Sequence, residues 1–263
     1  MSATPHYDMS GKTCFMSGAT SGINEQIARR FAQAGAKVFV VSRSQEKVDR
    51  TVEMLKGEGA EANGAAVDAR SWPDVEAAVH KCAEEFGEID MVLAGQAGNF
   101  PAGAAQMSAN AFKTVIDIDL LGTFNVFRAA IHKAKRPGAS FIAISAPQGK
   151  QPWLYQAHVC AAKAGVNMLV KCCAMEWGIE GVRVNAISPG PIEGTEGMER
   201  LAPTPELKQQ AEQAVAMKRF GSRDDIANAA LWLCSEGAGY VTGTIIEAEG
   251  GTTLGDATKA LKL

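Results

Sequence analysis

Short apolar runs alternate with longer amphipathic stretches along most of the chain. The apolar runs have the length of β-strands and occupy Thr13–Met16, Lys37–Ser42, Ala65–Val67, Met91–Ala94, Ser140–Ser145, Val182–Ile187 and Thr244–Glu249. Helical periodicity is found between them, over Glu25–Ala34, Gln45–Glu58, Val75–Phe86, Ala111–Lys135 and Ala157–Gly178. Apolar strands separated by helices are typical of a parallel sheet that is covered on both faces. The pattern therefore predicts an α/β protein with a doubly wound, Rossmann-type parallel sheet.

The length and the even pattern indicate one domain. A chain of 263 residues fits a single α/β domain over residues 1–263, and we find neither an internal repeat nor a flexible linker. One long surface excursion is expected at Gly190–Leu207, which is rich in glycine, proline and glutamate. Such an excursion can cover a ligand, so we predict a lid at about residues 190–215.

Composition and charge narrow the range of partners. Apolar residues make up 46% and charged residues 21% of the chain, and the net charge is −3 with a pI near 5.9. No basic surface for nucleic acid is therefore expected. No stretch has the length and apolar character of a membrane span, and the six cysteines lack the paired spacing of metal ligands. We expect a cytoplasmic protein with reduced thiols, no metal, and neither a membrane nor a nucleic-acid partner.

A glycine-rich segment follows the first predicted strand. It reads Ser17-Gly18-Ala19-Thr20-Ser21-Gly22-Ile23-Asn24 and precedes the first predicted helix. Small residues at this place let backbone N–H groups and the helix N-terminus approach a pyrophosphate. We therefore predict a dinucleotide cofactor bound by Ser17, Gly18, Thr20, Ser21, Gly22 and Ile23. The alternative is an ordinary turn in a site that has lost its ligand.

Ser42 and Arg43 end the second predicted strand, with Lys47 about one helical turn further on. An NAD site favours an acidic residue here, because a carboxylate binds the ribose hydroxyls. A serine and an arginine instead suit a 2′-phosphate, so the sequence favours NADP(H) as the cofactor. The alternative is an arginine that merely lies on the surface.

Three further motifs resemble one known family. They are Gly98-Asn99-Phe100, Asp117-Ile118-Asp119 followed by Gly122-Thr123-Phe124-Asn125-Val126, and Pro189-Gly190-Pro191-Ile192-Glu193-Gly194-Thr195-Glu196-Gly197. Together with the glycine-rich segment they resemble the short-chain dehydrogenase/reductases, and within that family the 2,4-dienoyl-CoA reductases of the peroxisomal type. The likeness runs from about Gly11 to Gly251. It implies an NADPH-dependent reductase whose small-molecule substrate is an enoyl-CoA or dienoyl-CoA thioester.

The chain departs from the wider family at its catalytic tyrosine. The family usually has Tyr-x-x-x-Lys where this chain has Val159-Cys160-Ala161-Ala162-Lys163, so Val159 replaces the tyrosine. Valine cannot donate a proton at any pH. The peroxisomal type resembles this chain here too, since it lacks the tyrosine and has a histidine just before the gap, as His158 stands here.

The chain also departs from the family in the cofactor loops and at the position of the catalytic serine. Asn24 replaces the third glycine of the loop, so cofactor affinity or loop geometry is expected to change. Ala94 and Gln96 depart from the family's Asn-Asn-Ala-Gly, and Ala146 replaces its catalytic serine. Ser145 is the neighbouring hydroxyl residue, and we predict that it contacts the substrate.

The resemblance assigns the proton transfer to Asp119 and Lys163. Asp119 would hold or protonate an ordered water, while Lys163 would bond the nicotinamide ribose and supply positive charge. The alternative for Asp119 is a carboxylate that caps a helix or forms an ion pair near one. The alternative for Lys163 is a lysine on the surface. Tyr155, eight residues before Lys163, and His158 are competing proton donors. The alternative for Tyr155 is an aromatic side chain that lines the pocket. The alternative for His158 is a histidine that hydrogen-bonds to the backbone.

The resemblance also implies the remaining ligand contacts. For the cofactor these are Asp68, Ala69, Pro189, Gly190 and Ile192. For a CoA substrate they are Arg43, Arg70, Phe100 and Arg200. A charge on a solvated lid is the alternative for Arg200.

Three functions stay open at this point. The first is reduction of an enoyl or dienoyl thioester, and the second is reduction or oxidation of another alkene, carbonyl or hydroxyl compound. The third is a nucleotide-binding subunit without turnover. The unusual residues Asn24, Ala94, Gln96 and Gln148 weaken the first. The missing tyrosine, the missing hydroxyl at Ala146 and the missing third glycine favour the last.

A homotetramer is expected from the same resemblance. The helices Phe112–Lys135 and Ala157–Gly178 resemble the paired helices that bury apolar faces between subunits of the family. The final strand, Thr244–Glu249, would make the second contact between subunits.

Overall fold

A parallel seven-stranded sheet forms the centre of the protein, in a computed structural model that describes residues 7–195, 198–199 and 202–255. The strands are β1 (Thr13–Ser17), β2 (Lys37–Ser42), β3 (Ala62–Ala66), β4 (Met91–Ala94), β5 (Ser140–Ile144), β6 (Arg183–Pro189) and β7 (Ile245–Ala248). Their order across the sheet is β3-β2-β1-β4-β5-β6-β7. The order reverses between β1 and β4, and such a reversal opens a crevice at the carboxyl ends of the strands. The predicted doubly wound sheet is confirmed.

Helices cover both faces of this sheet. They are α1 (Gly22–Gln33), α2 (Gln45–Gly57), α3 (Trp72–Phe86), α4 (Ala109–Val115), α5 (Gly122–Ile131), α6 (Ala157–Trp177), α7 (Pro205–Ala214) and α8 (Arg223–Cys234). On one face α3, α5 and α6 share an apolar core with Phe15, Phe39 and Phe141. On the other face α1, α2 and α8 pack with the alternate side chains of the strands, such as Met16 and Val38. Each large apolar side chain buried in this way stabilises the fold by about 1.5–3 kcal/mol.

The first half of β3 differs from the predicted strand. β3 spans Ala62–Ala66 rather than Ala65–Val67, because Asn63 and Gly64 also pair with β2. β3 lies at the edge of the sheet, where Asn63 can donate a hydrogen bond of 2.6 Å to the exposed Glu85 carboxylate. A search for apolar runs therefore misses these residues.

The predicted helix Ala111–Lys135 is interrupted in the structure. α4 ends at Val115, a π-helical turn covers Ile116–Leu121, and α5 ends at Ile131. A π-helical turn inserts a residue and so changes which side chains face the sheet, while the apolar content stays the same. Periodicity in the sequence does not reveal such an insertion.

Two helices fall outside the sequence predictions. α8 begins with a capping box, in which Ser222 Oγ accepts a hydrogen bond of 3.1 Å from the Asp225 N–H and the Asp225 carboxylate accepts one of 2.7 Å from the Ser222 N–H. The signal Ser-x-x-Asp before an apolar run is readable in the sequence. α7 lies within the predicted lid and buries none of its side chains. Its action as a lid stays a prediction.

The structure also provides evidence on membrane spans, metal sites and the state of the cysteines. Within the described residues, no helix is both long enough and apolar enough to cross a membrane, and no three His, Cys, Asp or Glu side chains cluster as metal ligands. All six cysteines are free thiols, and burial raises the pKa of Cys82 and of Cys173 to about 12. These two thiols are therefore protonated and unreactive at neutral pH.

Candidate active site

A cleft of about 320 Å³ opens at the carboxyl ends of β1 and β4. The predicted cofactor residues that line it are Ser17, Gly18, Thr20, Ser21, Ser42, Arg43, Asp68 and Ala69. Gly22 and Ile23 form the beginning of α1 beside it. Further lining residues that the sequence did not indicate include Ser44, Gly95 and Ala97. The fold thus brings four loops together around one cleft.

Gly18 allows the loop after β1 to lie against the loop after β4. Its φ of +71° is one that side chains rarely adopt, and a Cβ placed there would lie 2.6 Å from the backbone nitrogen of Gln96. The Gly18 N–H donates a hydrogen bond of 2.8 Å to the carbonyl of Val41. Both the backbone conformation and the available space therefore require glycine here.

Asn24 connects the same two loops. Its side-chain nitrogen Nδ2 donates hydrogen bonds of 2.7 Å to the carbonyl of Gly95 and 3.2 Å to the carbonyl of Gly18. The sequence indicated only that an asparagine in place of the third glycine would alter the loop. In the structure this amide satisfies one carbonyl on each side of the crevice.

Three buried oxygens at the cleft test whether it fits a dinucleotide. Asn24 Oδ1, Ser42 Oγ and Gln96 Oε1 have no hydrogen-bond partner within the described part of the protein, and all three residues line the cleft. An unsatisfied buried polar group costs about 1–3 kcal/mol. A ligand that carries hydroxyl and amide groups would satisfy them, and its phosphates would meet the N-terminus of α1. The residues present therefore fit a nicotinamide dinucleotide.

Positive side chains gather where the cleft passes the end of β2. Arg43 and Lys47 line it there, together with the hydroxyl residues Ser42 and Ser44. Among the described residues that line the cleft, Asp68 carries the only carboxylate. This part of the cleft is electrostatically suited to a phosphate rather than to the bare hydroxyls of a ribose.

Asp68 and Arg70 bind each other. Arg70 Nε lies 3.0 Å from each carboxylate oxygen of Asp68, and its Nη2 lies 2.5 Å from Oδ2. The guanidinium of Arg70 holds the pKa of the Asp68 carboxyl below its usual range. The predicted cofactor contact Asp68 and the predicted CoA contact Arg70 are therefore partners of one another in this structure.

Asp119 and Lys163 form a buried ion pair next to the cleft. Lys163 Nζ lies 3.0 Å from Asp119 Oδ2, and the side chains are only 6% and 0% exposed. The Gly98 N–H donates a hydrogen bond of 2.7 Å to Asp119 Oδ1, and Lys163 Nζ donates one of 2.9 Å to the Ile144 carbonyl. Removing one partner of a buried pair leaves the other charge uncompensated, at a cost of about 3–5 kcal/mol.

The π-helical turn places Asp119 at this position. Asp119 lies within the turn Ile116–Leu121, and Thr123 Oγ1 donates a hydrogen bond of 2.6 Å to its carbonyl. Each helical residue rotates the chain by about 100°, so one inserted residue changes the face on which the next side chains lie. π-helical turns occur frequently at functional sites.

His158 is buried beneath Phe100. Its ring is inaccessible to solvent and its centroid lies 4.4 Å from that of the Phe100 ring. Burial lowers the pKa of His158 below its usual range, although the Phe100 backbone and the Asp119 carboxylate oppose the shift. The imidazole is therefore neutral at neutral pH and packs in the core. Neither of its ring nitrogens has a hydrogen-bond partner in the described part of the chain, so the alternative of a histidine bonded to backbone stays a prediction.

Tyr155 lies at the surface, in contrast to Asp119 and Lys163. Its side chain is 63% exposed and its φ is +62°, an uncommon value for a residue other than glycine. Its carbonyl accepts a hydrogen bond of 2.9 Å from the Ala102 N–H. The structure gives this residue a role in the turn before α6 and no contact with the ion pair.

Ser145 is tied to α6. Its Oγ donates a hydrogen bond of 2.6 Å to Asn167 Oδ1, and Asn167 Nδ2 donates one of 3.2 Å to the Gly149 carbonyl. Asn167 was not indicated by the sequence reasoning, although it stands four residues after Lys163 and thus on the same face of the helix. The predicted contact of Ser145 with a substrate stays a prediction.

The remaining predicted residues lie at the end of β6 and in the lid. Pro189 ends the strand, and the Gly190 N–H donates a hydrogen bond of 3.1 Å to the Ala248 carbonyl. Ile192 is buried in the core on the α1 side of the sheet. Arg200 lies outside the described residues.

Comparisons with known proteins identify the relatives of this chain. Residues 18–253 match the family model described as enoyl-(acyl carrier protein) reductase. The peroxisomal 2,4-dienoyl-CoA reductase [(3E)-enoyl-CoA-producing] of Saccharomyces cerevisiae is 40% identical over 245 residues, which cover 92% of this chain and 84% of that protein. The enzyme of the same description from Pongo abelii is 39% identical with the same coverage. This chain belongs to the short-chain dehydrogenase/reductase family.

The fold agrees with solved structures of short-chain dehydrogenase/reductases. A crystal structure of an actinorhodin polyketide ketoreductase variant with NADPH is similar with a TM-score of 0.87 and 28% identity. The match covers 92% of this chain and 97% of that chain. As a member of this short-chain dehydrogenase/reductase family, the protein is an oxidoreductase.

For a short-chain dehydrogenase/reductase, the position of Val159 is unusual. Its side chain is 4% exposed and packs in a small apolar cluster with Val115 and Ala162, against which Phe100 and Ile116 lie. No hydroxyl is therefore present at the position where the wider family has its tyrosine. Lys163, a member of the buried ion pair with Asp119, follows Val159 by one helical turn on α6.

Proposed function

We propose that this oxidoreductase uses NADPH to reduce an enoyl-CoA or dienoyl-CoA thioester. The observation that carries the proposal is the buried pair of Asp119 and Lys163, with Oδ2 and Nζ 3.0 Å apart, in a site where valine replaces the tyrosine. Support also comes from the identity of 40% with a peroxisomal 2,4-dienoyl-CoA reductase.

The reaction explains why a tyrosine is not needed. The nicotinamide, when bound, supplies a hydride to the δ-carbon of the conjugated thioester. The electron pair that this displaces moves to the thioester oxygen, and a proton must then reach the α-carbon. The double bond that remains lies between the β- and γ-carbons. The proton goes to carbon, so no phenol beside a carbonyl oxygen is required.

Asp119 and Lys163 can serve this reaction through a water molecule. The ammonium of Lys163 supplies positive charge near the oxygen on which negative charge develops. Asp119 accepts the hydrogen bond of Gly98, which fixes its orientation, and can hold a water that passes a proton to the α-carbon. A group that acts in this way contributes roughly 10²–10⁴-fold to the rate.

The choice of NADPH rests on the cleft after β2. Arg43 and Lys47 are positive there, Ser42 and Ser44 carry hydroxyls, and the carboxylate of Asp68 is paired with Arg70. A 2′-phosphate gains charge-assisted hydrogen bonds from such a set, whereas NADH would leave the cations without a partner.

The proposed CoA substrate carries phosphates that basic groups can bind. Arg70 is 42% exposed at its side chain, and the ring of Phe100 lies tilted against that of His158 near the ion pair. Together with Arg43 and Arg200, these residues are the proposed contacts of the substrate. A free carbonyl compound lacks the phosphates of CoA, so it would leave most of these residues without a contact.

The test compares thioesters with carbonyl compounds. NADPH oxidation is followed with 2,4-hexadienoyl-CoA, with crotonyl-CoA and with a panel of ketones and aldehydes, and the products are identified by chromatography. We expect turnover of the dienoyl thioester to a 3-enoyl product. Turnover of the carbonyl panel alone would contradict the proposal.

A further inference from the structure

We propose that Asn24 and Gly95 form a matched pair that sets the geometry of the cofactor cleft, and we call it the Asn24–Gly95 clasp. The inference rests on the proposed binding of a nicotinamide dinucleotide. Under this proposal Asn24 is a positioning residue. Without the clasp, asparagine in place of the family's third glycine would indicate a weakened cofactor site.

The first part of the argument is where the clasp lies. Gly18 follows β1 and Gly95 follows β4, the two strands between which the strand order reverses. Asn24 Nδ2 donates to both of their carbonyls, at 3.2 Å and 2.7 Å. The clasp therefore holds together the two walls between which a dinucleotide would lie.

The second part concerns the space around Gly95. A Cβ on Gly95 would lie 2.4 Å from Asn24 Nδ2, 2.6 Å from its Cγ and 2.9 Å from its Oδ1. The backbone of Gly95 does not have a positive φ, so its conformation accepts other residues. A side chain at position 95 would thus collide with the amide of Asn24, whereas the backbone conformation would accept it.

The third part concerns the other end of the amide. Because both hydrogens of Nδ2 face carbonyls, the orientation of the amide is fixed. Asn24 Oδ1 is then buried at the cleft without a partner in the described residues. An oxygen held in this way can accept a hydrogen bond from a ribose hydroxyl of the dinucleotide.

A double-mutant cycle tests the clasp directly. The dissociation constants of NADPH and NADH are measured by fluorescence titration for the parent, Asn24→Gly, Gly95→Ala and the double variant. Melting temperatures with and without cofactor are measured alongside. Gly57→Ala serves as the matched control, since Gly57 ends α2 and its Cβ would meet nothing within 4 Å.

The clasp predicts strong coupling between the two positions. Gly95→Ala should weaken cofactor binding about tenfold or more when Asn24 is present, and less than about threefold when residue 24 is glycine. Asn24→Gly alone should weaken binding about two- to tenfold, because hydrogen bonds are lost. Asn24→Asp should be worse than Asn24→Gly, since a carboxylate would face two carbonyl oxygens.

The possible outcomes separate this inference from the proposed function. Equal effects of Gly95→Ala in both backgrounds, or an Asn24→Gly protein that binds as tightly as the parent, would overturn the clasp. If Gly95→Ala does not fold but the double variant folds and binds, the clasp is supported; if neither folds, it is wrong. A folded parent that binds neither cofactor would instead overturn the proposed function, and the clasp with it.

Discussion

At the scale of single residues, the groups that we propose for the chemistry lie within hydrogen-bond distance of each other. Asp119 is held by the Gly98 N–H and by Lys163, at 2.7 Å and 3.0 Å. Val159 fills the position of the missing phenol with an apolar side chain. The site has therefore lost one proton donor and kept a carboxylate and an ammonium in fixed positions.

The sequence predicted some of the residues of the site and missed the contacts of others. Asp119 and Lys163 were predicted because they lie in motifs that resemble a known family. The role of Asn24 was not predicted, because its partner Gly95 is 71 positions away and only the folded chain brings them together. Arg70 and Asp68 were both predicted as ligand contacts, but their bond to each other depends on side-chain geometry that a sequence does not specify.

Cofactor preference is a prediction at the residue scale. The variant Arg43→Asp places a carboxylate where the 2′-phosphate is expected, so the preference for NADPH over NADH should disappear or reverse. Loss of one hydrogen bond to a charged group corresponds to about 1.5–3 kcal/mol, or roughly 10- to 150-fold in affinity. Fluorescence titration measures both constants. Equal constants in the parent protein would contradict the assignment of NADP(H).

The buried His158 predicts a pH dependence of stability. Burial lowers its pKa in the folded state, so below about pH 6.5 the unfolded chain takes up a proton that the native protein does not. The free energy of unfolding should therefore fall as the pH decreases from 7.5 to 5.5, and His158→Gln should reduce that fall. Urea unfolding at the two pH values measures it. An unchanged pH dependence in the variant would disagree with a neutral, buried imidazole.

At the scale of elements, the π-helical turn and α6 together build the ion pair of Asp119 and Lys163, the proposed catalytic pair. The turn Ile116–Leu121 presents Asp119, and α6 presents Lys163 and Val159 from consecutive turns. The alternation of strands and helices was predictable, because apolar runs and amphipathic stretches report burial. The interruption between α4 and α5 was not predictable. A π-helical turn shifts the face on which the following side chains lie, but it leaves no mark in the apolar content of the segment.

The packing of α6 predicts the effect of restoring the family's tyrosine. Val159→Tyr inserts a ring into the apolar cluster of Val115, Ala162 and Phe100, and overpacking of this kind costs about 1–3 kcal/mol. We expect a lower melting temperature and no gain in turnover of dienoyl thioesters. Val159→Leu is the control for added volume without a hydroxyl. A large gain in carbonyl reduction for Val159→Tyr would contradict a site built around a water.

At the scale of the whole molecule, several apolar side chains are exposed and available for contacts between subunits. Leu121, Phe124 and Met175 are 40%, 41% and 82% exposed on the π-helical turn, α5 and α6. β7 lies at the open edge of the sheet, where another copy can pack. These features support the proposed homotetramer.

Light scattering at micromolar concentration tests the assembly. We expect a mass four times the chain mass of 27.7 kDa. Met175→Glu on α6 should lower that mass, whereas Leu207→Glu on α7, which is also exposed, should not. A monomeric parent protein would contradict the prediction.

The most direct test of the central claim is the turnover of 2,4-hexadienoyl-CoA by Asp119→Asn, with Tyr155→Phe as its matched control. The asparagine can still accept the hydrogen bond of Gly98 but cannot act as the carboxylate that holds and protonates a water. We predict that kcat falls at least about a hundredfold for Asp119→Asn, while NADPH binding is retained and Tyr155→Phe changes little. A near-parental kcat for Asp119→Asn, with a large loss for Tyr155→Phe, would contradict the account.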